Sequence, residues 1–259
     1  MQIKIVFSRK RVKFWSSTNF YKRQLLQVKN EALDIYAKIE DLLGVKDVAP
    51  KLYSYYFFIL EDLHFNSLLD IGCGSGDFLR SLAMQYPQRN LMGIDRSQVM
   101  VESAQAKGVN AVNVELDSIE EQFDIATATF DMVNYLNQDE LLDFFETLAQ
   151  VILKGGYFIF DINSEYGLSE LAVGSFIEDD GDRFIAIESF YEDGIYDSEF
   201  TLFEKCDSLY KKSIGNIKQY LHNESFFNQL DGWKLKKRLP IKLYDMQDYD
   251  KEIYILERV

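Results

Sequence analysis

The chain has 259 residues, 47% of them hydrophobic, enough to bury a full core as one large domain with an insertion or as two unequal ones. A formal net charge of −14 speaks against a nucleic-acid backbone as partner, because gripping phosphates takes clustered Lys and Arg; it fits a small-molecule enzyme, and most simply it serves solubility. Two cysteines, Cys73 and Cys206, and two histidines, His64 and His222, offer no zinc framework and leave the cytoplasm as the expected compartment.

Residues 1–14 carry Lys4, Arg9, Lys10, Arg11 and Lys13 without an acid, and Trp15-Ser-Ser-Thr-Asn-Phe-Tyr-Lys-Arg23 follows. A secretory signal needs an apolar stretch there, so the segment reads as a frayed basic terminus. No apolar run approaches the roughly 18–20 residues of a membrane span, and the chain is expected to be soluble. Residues 15–64 read as helical: Val28, Ile35, Ile39, Leu42 and Leu43 recur before Gly44, and Tyr53, Tyr56, Phe57, Leu60 and Leu63 form a second stripe.

An alternating β and α pattern comes next. Strands are expected near 67–71, 90–94, 111–116 and 123–129. Helices are expected over 76–85 and from the cap Ser97 to the stop at Gly108. Asn137 with Glu140 three residues on is a capping box opening a helix whose Leu141, Phe144, Phe145, Leu148, Val151 and Ile152 share a face. Gly155-Gly156 is expected to end it, with a fifth strand over 157–162. Strands separated by single helices imply a parallel sheet with right-handed crossovers, whose ligands lie at the carboxyl ends of the strands.

Residues 166–222 change character. The stretches 184–191 and 195–203 are rich in β-branched and aromatic residues, and Glu192-Asp193-Gly194 between them signals a hairpin; 209–221 can add further strands. This reads as an antiparallel insertion, either a lid or a dimer surface. A short helix near 224–230 and two strands, 233–239 and 252–257, then complete the first sheet. The expected organisation is a helical cap (1–64), an α/β core (65–165), the β insertion (166–222) and a closing segment (223–259). The fold class is α/β, a Rossmann-like seven-stranded sheet, mostly parallel with an antiparallel last strand.

The chemistry concentrates in Leu69-Asp70-Ile71-Gly72-Cys73-Gly74-Ser75-Gly76-Asp77. A dinucleotide turn needs its third glycine at position 77, where Asp77 would face a pyrophosphate at close range, so NAD is disfavoured. The string resembles the first motif of the class I S-adenosylmethionine-dependent methyltransferases. That resemblance continues in order through Asp95, Asp117-Ser118-Ile119, the stretch 123–131 with Asn134-Tyr135-Leu136, and 153–163, covering roughly residues 65–165.

The resemblance implies S-adenosylmethionine as cofactor and S-adenosylhomocysteine as product. Gly72, Gly74 and Gly76 would let the backbone lie against the ligand. Asp70 would reach toward the ammonium of the methionine moiety, or else cap the turn. Asp95, nineteen residues beyond Gly76, sits near the interval of about 20 at which a ribose-binding acid is expected. Met100 would pack on the adenine or simply fill core. Asp117 and Ser118 would meet the adenine edge, or form a plain turn. Thr129, Phe130, Asp131, Asn134 and Tyr135 would line the methionine end and the substrate entrance, with Asp161 and Asn163 facing the acceptor.

Candidate bases are Asp131, Asp161, Glu165, Tyr135 and His222, of which Asp131, Tyr135 and His222 are the expected catalytic residues. No metal is expected. The chain lacks the Pro-Pro signature after the fourth strand that nucleobase methyltransferases carry. The expected activity is therefore methyl transfer to nitrogen or oxygen of a small molecule, without DNA or membrane and with RNA disfavoured, by a monomer or homodimer. A protein or RNA methyltransferase and a non-catalytic binding protein are the alternatives.

Overall fold

The computed structural model describes residues 32–244 and 247–259. The basic arm and Val28 lie outside the described residues. A helical stretch at residues 32–37 leads through turns to Gly44, whose positive φ of 69° starts helix α1 (Val45–Glu61). Five parallel strands follow: β1 (Ser67–Ile71), β2 (Asn90–Ile94), β3 (Ala111–Val112), β4 (Phe123–Ala128) and β5 (Ile152–Asn163). They alternate with α2 (Asp77–Gln85), α3 (Gln98–Ala106) and α4 (Gln138–Val151), and a single 3-10 turn (Leu116–Ser118) stands between β3 and β4.

After β6 (Gly174–Asp179), β7 (Arg183–Glu192), β8 (Ile195–Cys206) and β9 (Leu209–Tyr220), which form a second sheet, the chain adds a short helix α5 (Glu224–Phe227), β10 (Trp233–Ile241) and β11 (Lys251–Arg258). The first sheet has the order β10-β11-β5-β4-β1-β2-β3, and β11 is antiparallel to both of its neighbours. This is the Rossmann-like seven-stranded sheet expected from the sequence.

Side chains alternate across this sheet as the period of two demands. Leu68, Ile125, Ile159, Ile253 and Ile255 pack on one face with Leu52, Tyr56 and Leu60 of α1 and Phe78 of α2. On the other face, Leu69, Ala126, Phe158, Phe160 and Tyr254 meet Leu141, Phe145 and Leu148 of α4 and Phe227 of α5. Burying each of these large apolar groups contributes about 1.5–3 kcal/mol. The helix starts are capped as the sequence indicates. Asn137 Oδ1 accepts from the Asp139 and Glu140 amides while Glu140 reaches back to the Asn137 amide, and Ser97 Oγ accepts from the Met100 amide.

Three elements differ from expectation. β3 is only two residues long, and α5 stops at Phe227. Helix α4 ends at Val151, and Gly155-Gly156 belongs to β5: a Cβ on Gly156 would lie 2.5 Å from the Asp124 carbonyl oxygen, so the glycine lets β5 pass closely against β4.

The second sheet is antiparallel, ordered β6-β7-β8-β9. Asp193 and Gly194, at φ 50° and 79°, make the tight two-residue turn between β7 and β8. One face, with Ile185, Phe200, Leu202 and Ile217, packs on Ala32 and Ile39 and on Tyr36, Leu42 and Tyr135. Salt bridges of 2.8 Å from Arg183 to Asp41 and from Lys38 to Glu204 fasten one end of its two central strands to the same N-terminal segment. The helical segment therefore lies between the inserted sheet and the core. Among the described residues no helix is long and apolar enough to cross a membrane.

Candidate functional site

β1 runs into a turn in which Gly72, Gly74 and Gly76 all take left-handed backbone, with φ of 70°, 53° and 76°. The three glycines serve different ends. A Cβ on Gly76 would meet the Ala104 Cβ at 2.7 Å, so this residue brings α2 against α3; one on Gly72 would meet Met132 Cγ at 2.8 Å. Gly74 alone of the three has nothing within 4 Å of its would-be Cβ. It is the open wall of the turn.

Beside it, Asp70 is fully buried at the end of β1. Its Oδ1 accepts from the Thr127 hydroxyl at 2.8 Å, whereas Oδ2 has no hydrogen-bond partner. Burial, only partly offset by that hydroxyl, raises its carboxyl to about 7. A buried carboxylate oxygen without a donor costs about 1–3 kcal/mol or more and is best satisfied by a cation. An ammonium group fits this position. A phosphate does not.

Asp95, at the tip of β2, accepts from the Gly74 amide on Oδ2 (2.9 Å) and from the Ser97 amide on Oδ1 (2.8 Å). It thus shapes the glycine turn, and burial raises its carboxyl above the usual range despite these two bonds. Each oxygen keeps a second lone pair for a hydroxyl. Met100 is half-buried one turn into α3, and Asp117 and Ser118 lie exposed on the 3-10 turn, 3.3 Å from each other. Glycine turn, Asp95 and Asp117 follow the tips of β1, β2 and β3 in spatial order.

The rim over β4 and β5 is built around an ion cluster. Phe130 and Asp131, just past buried Thr129, hold φ of 55° and 53°, a strained conformation for side chains of this kind. Asp161 at the tip of β5, wholly buried, accepts from both of their amides (2.9 and 3.0 Å) and from the Tyr56 hydroxyl (2.8 Å). Lys251, the first residue of β11 and only 2% exposed, donates to Asp131 and to Asp161 Oδ2 (3.1 Å). Burial opposes its charge, but the two carboxylates prevail and hold the ammonium above its ordinary range.

Gln219 of β9 donates to the other Asp131 oxygen at 2.5 Å. Both oxygens of Asp131 are therefore engaged by protein donors, which departs from the expected role as catalytic base. Sequence reading also passed over Lys251, which lies one residue before the strand expected at 252–257 and is the first residue of β11. The acids at 131 and 161, each closing an apolar strand, were the available signal that a buried cation was needed.

The remaining side chains close the site from above. Tyr36 of the helical segment and Tyr135 of the 3-10 segment (Met132–Tyr135) share an apolar cluster with the inserted sheet, and burial together with Asp131 raises both phenols, leaving them neutral. Asp34 accepts from Ser97 Oγ at 2.6 Å, tying the segment to the start of α3. Asn134 takes the Asn163 amide on its oxygen and donates to the Tyr220 carbonyl. His222 hydrogen-bonds through Nε2 to the Leu136 carbonyl (3.0 Å) and packs against Phe226 and Phe227; burial lowers its pKa. The ring anchors main chain, and this geometry gives no support to the expected base function. Among the described residues no cluster of His, Cys, Asp or Glu could hold a metal ion.

A glycine turn at the first strand of a seven-stranded sheet with one antiparallel strand defines the Rossmann-like class I methyltransferase fold. Residues 68–156 match the family described as methyltransferase domain, and the chain carries that domain on the fold of the class I S-adenosylmethionine-dependent methyltransferases. A malonyl-[acyl-carrier protein] O-methyltransferase from Legionella pneumophila is 33% identical over 117 residues, 44% of this chain and 41% of that protein. The chain thus matches about two fifths of that relative's length.

Among solved structures, an S-adenosylmethionine-dependent methyltransferase from Clostridium acetobutylicum superposes with a TM-score of 0.72 at 23% identity, over 87% of this chain and 98% of the other. An amino pentose methyltransferase of calicheamicin biosynthesis from Micromonospora echinaspora, with S-adenosylmethionine bound, gives 0.57 at 14% identity over the full length of both chains. A sugar N-methyltransferase from a Streptoalloteichus species gives 0.57 at 14% identity, over 100% of this chain and 99% of the other.

Proposed function

We propose that this chain is an enzyme that transfers a methyl group from S-adenosylmethionine to a nitrogen or oxygen of a small-molecule acceptor in the cytoplasm. The observation that carries this reading is the buried, donor-less Oδ2 of Asp70 beside the open Gly74. A ligand bearing an ammonium and no phosphate suits that pair. In this reading Asp95 grips the ribose hydroxyls, Met100 lies under the adenine, Asp117 and Ser118 meet its edge, and Thr129 borders the methionine end. Gly72 and Gly76 shape the turn. The sulfonium of the donor supplies an electrophilic methyl.

What the protein contributes is placement, which can account for much of the acceleration of an in-line displacement. Tyr135, Tyr36 and the inserted sheet enclose the acceptor and exclude water. The small-molecule acceptors named for the structural relatives agree with this, as does the net charge. Titration calorimetry with S-adenosylhomocysteine tests the donor half: binding in the micromolar range is expected, and none at millimolar concentration overturns the reading. A metabolite library screened for S-adenosylhomocysteine release, with amines and sugars included, tests the acceptor half. Turnover with unmodified RNA or protein alone would replace the small-molecule assignment.

A further inference from the structure

The Phe130–Asp131 turn is a pair of consecutive left-handed residues, and such a pair persists only where its surroundings over-determine it. Two successive amides in this conformation form a concavity for an anion, and here the carboxylate of Asp161 fills it. That leaves two acids, Asp131 and Asp161, sharing one buried site with one lysine. Asp131 reaches the other way to Gln219, whose Oε1 accepts from Asn163 Nδ2 (3.0 Å). The Asn163 amide donates to Asn134 Oδ1 (2.9 Å), and Asn134 donates to the carbonyl of Tyr220, next to Gln219 (2.8 Å). The inserted sheet is joined to the tips of β4 and β5 by this ring of polar bonds, with Lys251 at its root.

We infer that Lys251 is a positioning residue that locks the Phe130–Asp131 turn and, through Asp131 and Gln219, holds the inserted sheet over the strand tips. The inference rests on the reading above for what the rim touches, though the lock itself needs no ligand. Lys251 is the counter-charge for a paired acid site. Removing it leaves Asp131 and Asp161 to repel unless one of them takes up a proton.

At low pH that proton stands in for the ammonium, and at high pH the turn and its link to β9 open. The other titratable groups facing the cluster are Tyr53 and Tyr56 of α1, Tyr36 of the helical segment, Tyr135, Asp70 of β1, and Tyr244 and Asp250 before β11. The tyrosines are held neutral by burial. The Asp250 carboxylate is already capped by the amides of Leu243 and Tyr244, and Asp70 titrates in wild type and variant alike.

The test is Lys251→Met, compared with wild type at pH 6 and pH 8.5 by titration with S-adenosylhomocysteine and by hydrogen exchange of ligand-free protein. The variant-to-wild-type affinity ratio is expected to fall about tenfold between the two pH values, a shift of about one pKa unit's worth of coupling. Exchange in residues 128–135 and 215–221, taken as the ratio to wild type at each pH, is expected to rise together over the same interval. Adding Asp131→Asn to Lys251→Met should make the ratio independent of pH. A ratio that does not change with pH, or exchange equal to wild type in both segments, overturns the inference.

Should Lys251→Met not fold, Asp131→Asn decides the matter, because it keeps Lys251 and Asp161 as a neutral pair. Exchange in 215–221 should then rise about tenfold at either pH, the opening equilibrium moving by one hydrogen bond to a charged group. Unchanged exchange refutes the lock. Failure of wild type to bind S-adenosylhomocysteine would overturn the functional reading alone, since the exchange measurements still decide the role of Lys251.

Discussion

Replacing Asp70 by asparagine separates two opposite effects of pH. Asp70 is fully buried with one oxygen on Thr127 and the other bare, and its carboxyl sits at about 7 rather than 3.8. Between these values the folded chain keeps a proton that the unfolded chain has released, so stability falls as pH rises from about 4 to about 7. Three pKa units at about 1.36 kcal/mol each put the full loss at no more than about 4 kcal/mol. Asparagine carries no such titration.

Melting curves for wild type and Asp70→Asn at pH 5 to 8, taken as a difference, cancel the contributions of Asp95, Glu40 and His222. About two of those units fall between pH 5 and pH 8, so wild type should lose about 2–3 kcal/mol relative to the variant across this range, or roughly 5–10 °C in melting temperature. Affinity for S-adenosylhomocysteine should move the other way in wild type, strengthening as Asp70 ionises to meet the ligand's ammonium. Parallel melting curves for the two proteins would show that the bare oxygen carries no burial penalty, and the placement of an ammonium there would fall with it.

Asp95→Ala removes the acceptor of two amides and the proposed ribose clamp together. The ligand-free protein should melt lower, and calorimetry should find S-adenosylhomocysteine binding weaker by about 2–3 kcal/mol, roughly 30- to 160-fold. Unchanged affinity would remove the ribose assignment. The glycines should part company: Gly76→Ala drives a methyl into Ala104 and Val109 and should cost about 1–3 kcal/mol in a urea melt. Gly74→Ala meets open space and should cost little beyond backbone strain of about 1–2 kcal/mol, yet weaken ligand binding more than it weakens the fold. Tyr56→Phe strips a hydroxyl from buried Asp161 and should destabilise by about 1–3 kcal/mol, checked by the same melt.

The elements most legible in the sequence were those whose local signals agree with their surroundings. β1, β2 and the caps at Ser97 and Asn137 fall where hydrophobic runs, hydroxyl or amide caps and glycine stops coincide. β6 gave no such signal: every one of its residues is exposed, and it owes its strand geometry to pairing with β7. Gly155-Gly156 reads locally as a helix stop, and only the approach of β5 to the Asp124 carbonyl explains it otherwise. At the site, the turn and the acids at strand tips were readable because spacing places them there. The employment of Asp131, Asp161 and Lys251 by one another was not, since it depends on a residue 120 positions away in sequence from its partner. Burial of a charge is decided by the company it keeps in three dimensions.

β11 lies between β5 and β10, both of which precede it in the chain. β10 and β11 pair as an antiparallel hairpin, and β11 alone joins that hairpin to the edge of β5, so the last two strands can add to the sheet only through residues 251–258. The same pairing sets Lys251 opposite Asn163 on the neighbouring strand, within reach of Asp161 and Asp131. The ion pair to Asp131 and the backbone seam between β5 and β11 thus stand or fall on the same residue of the chain.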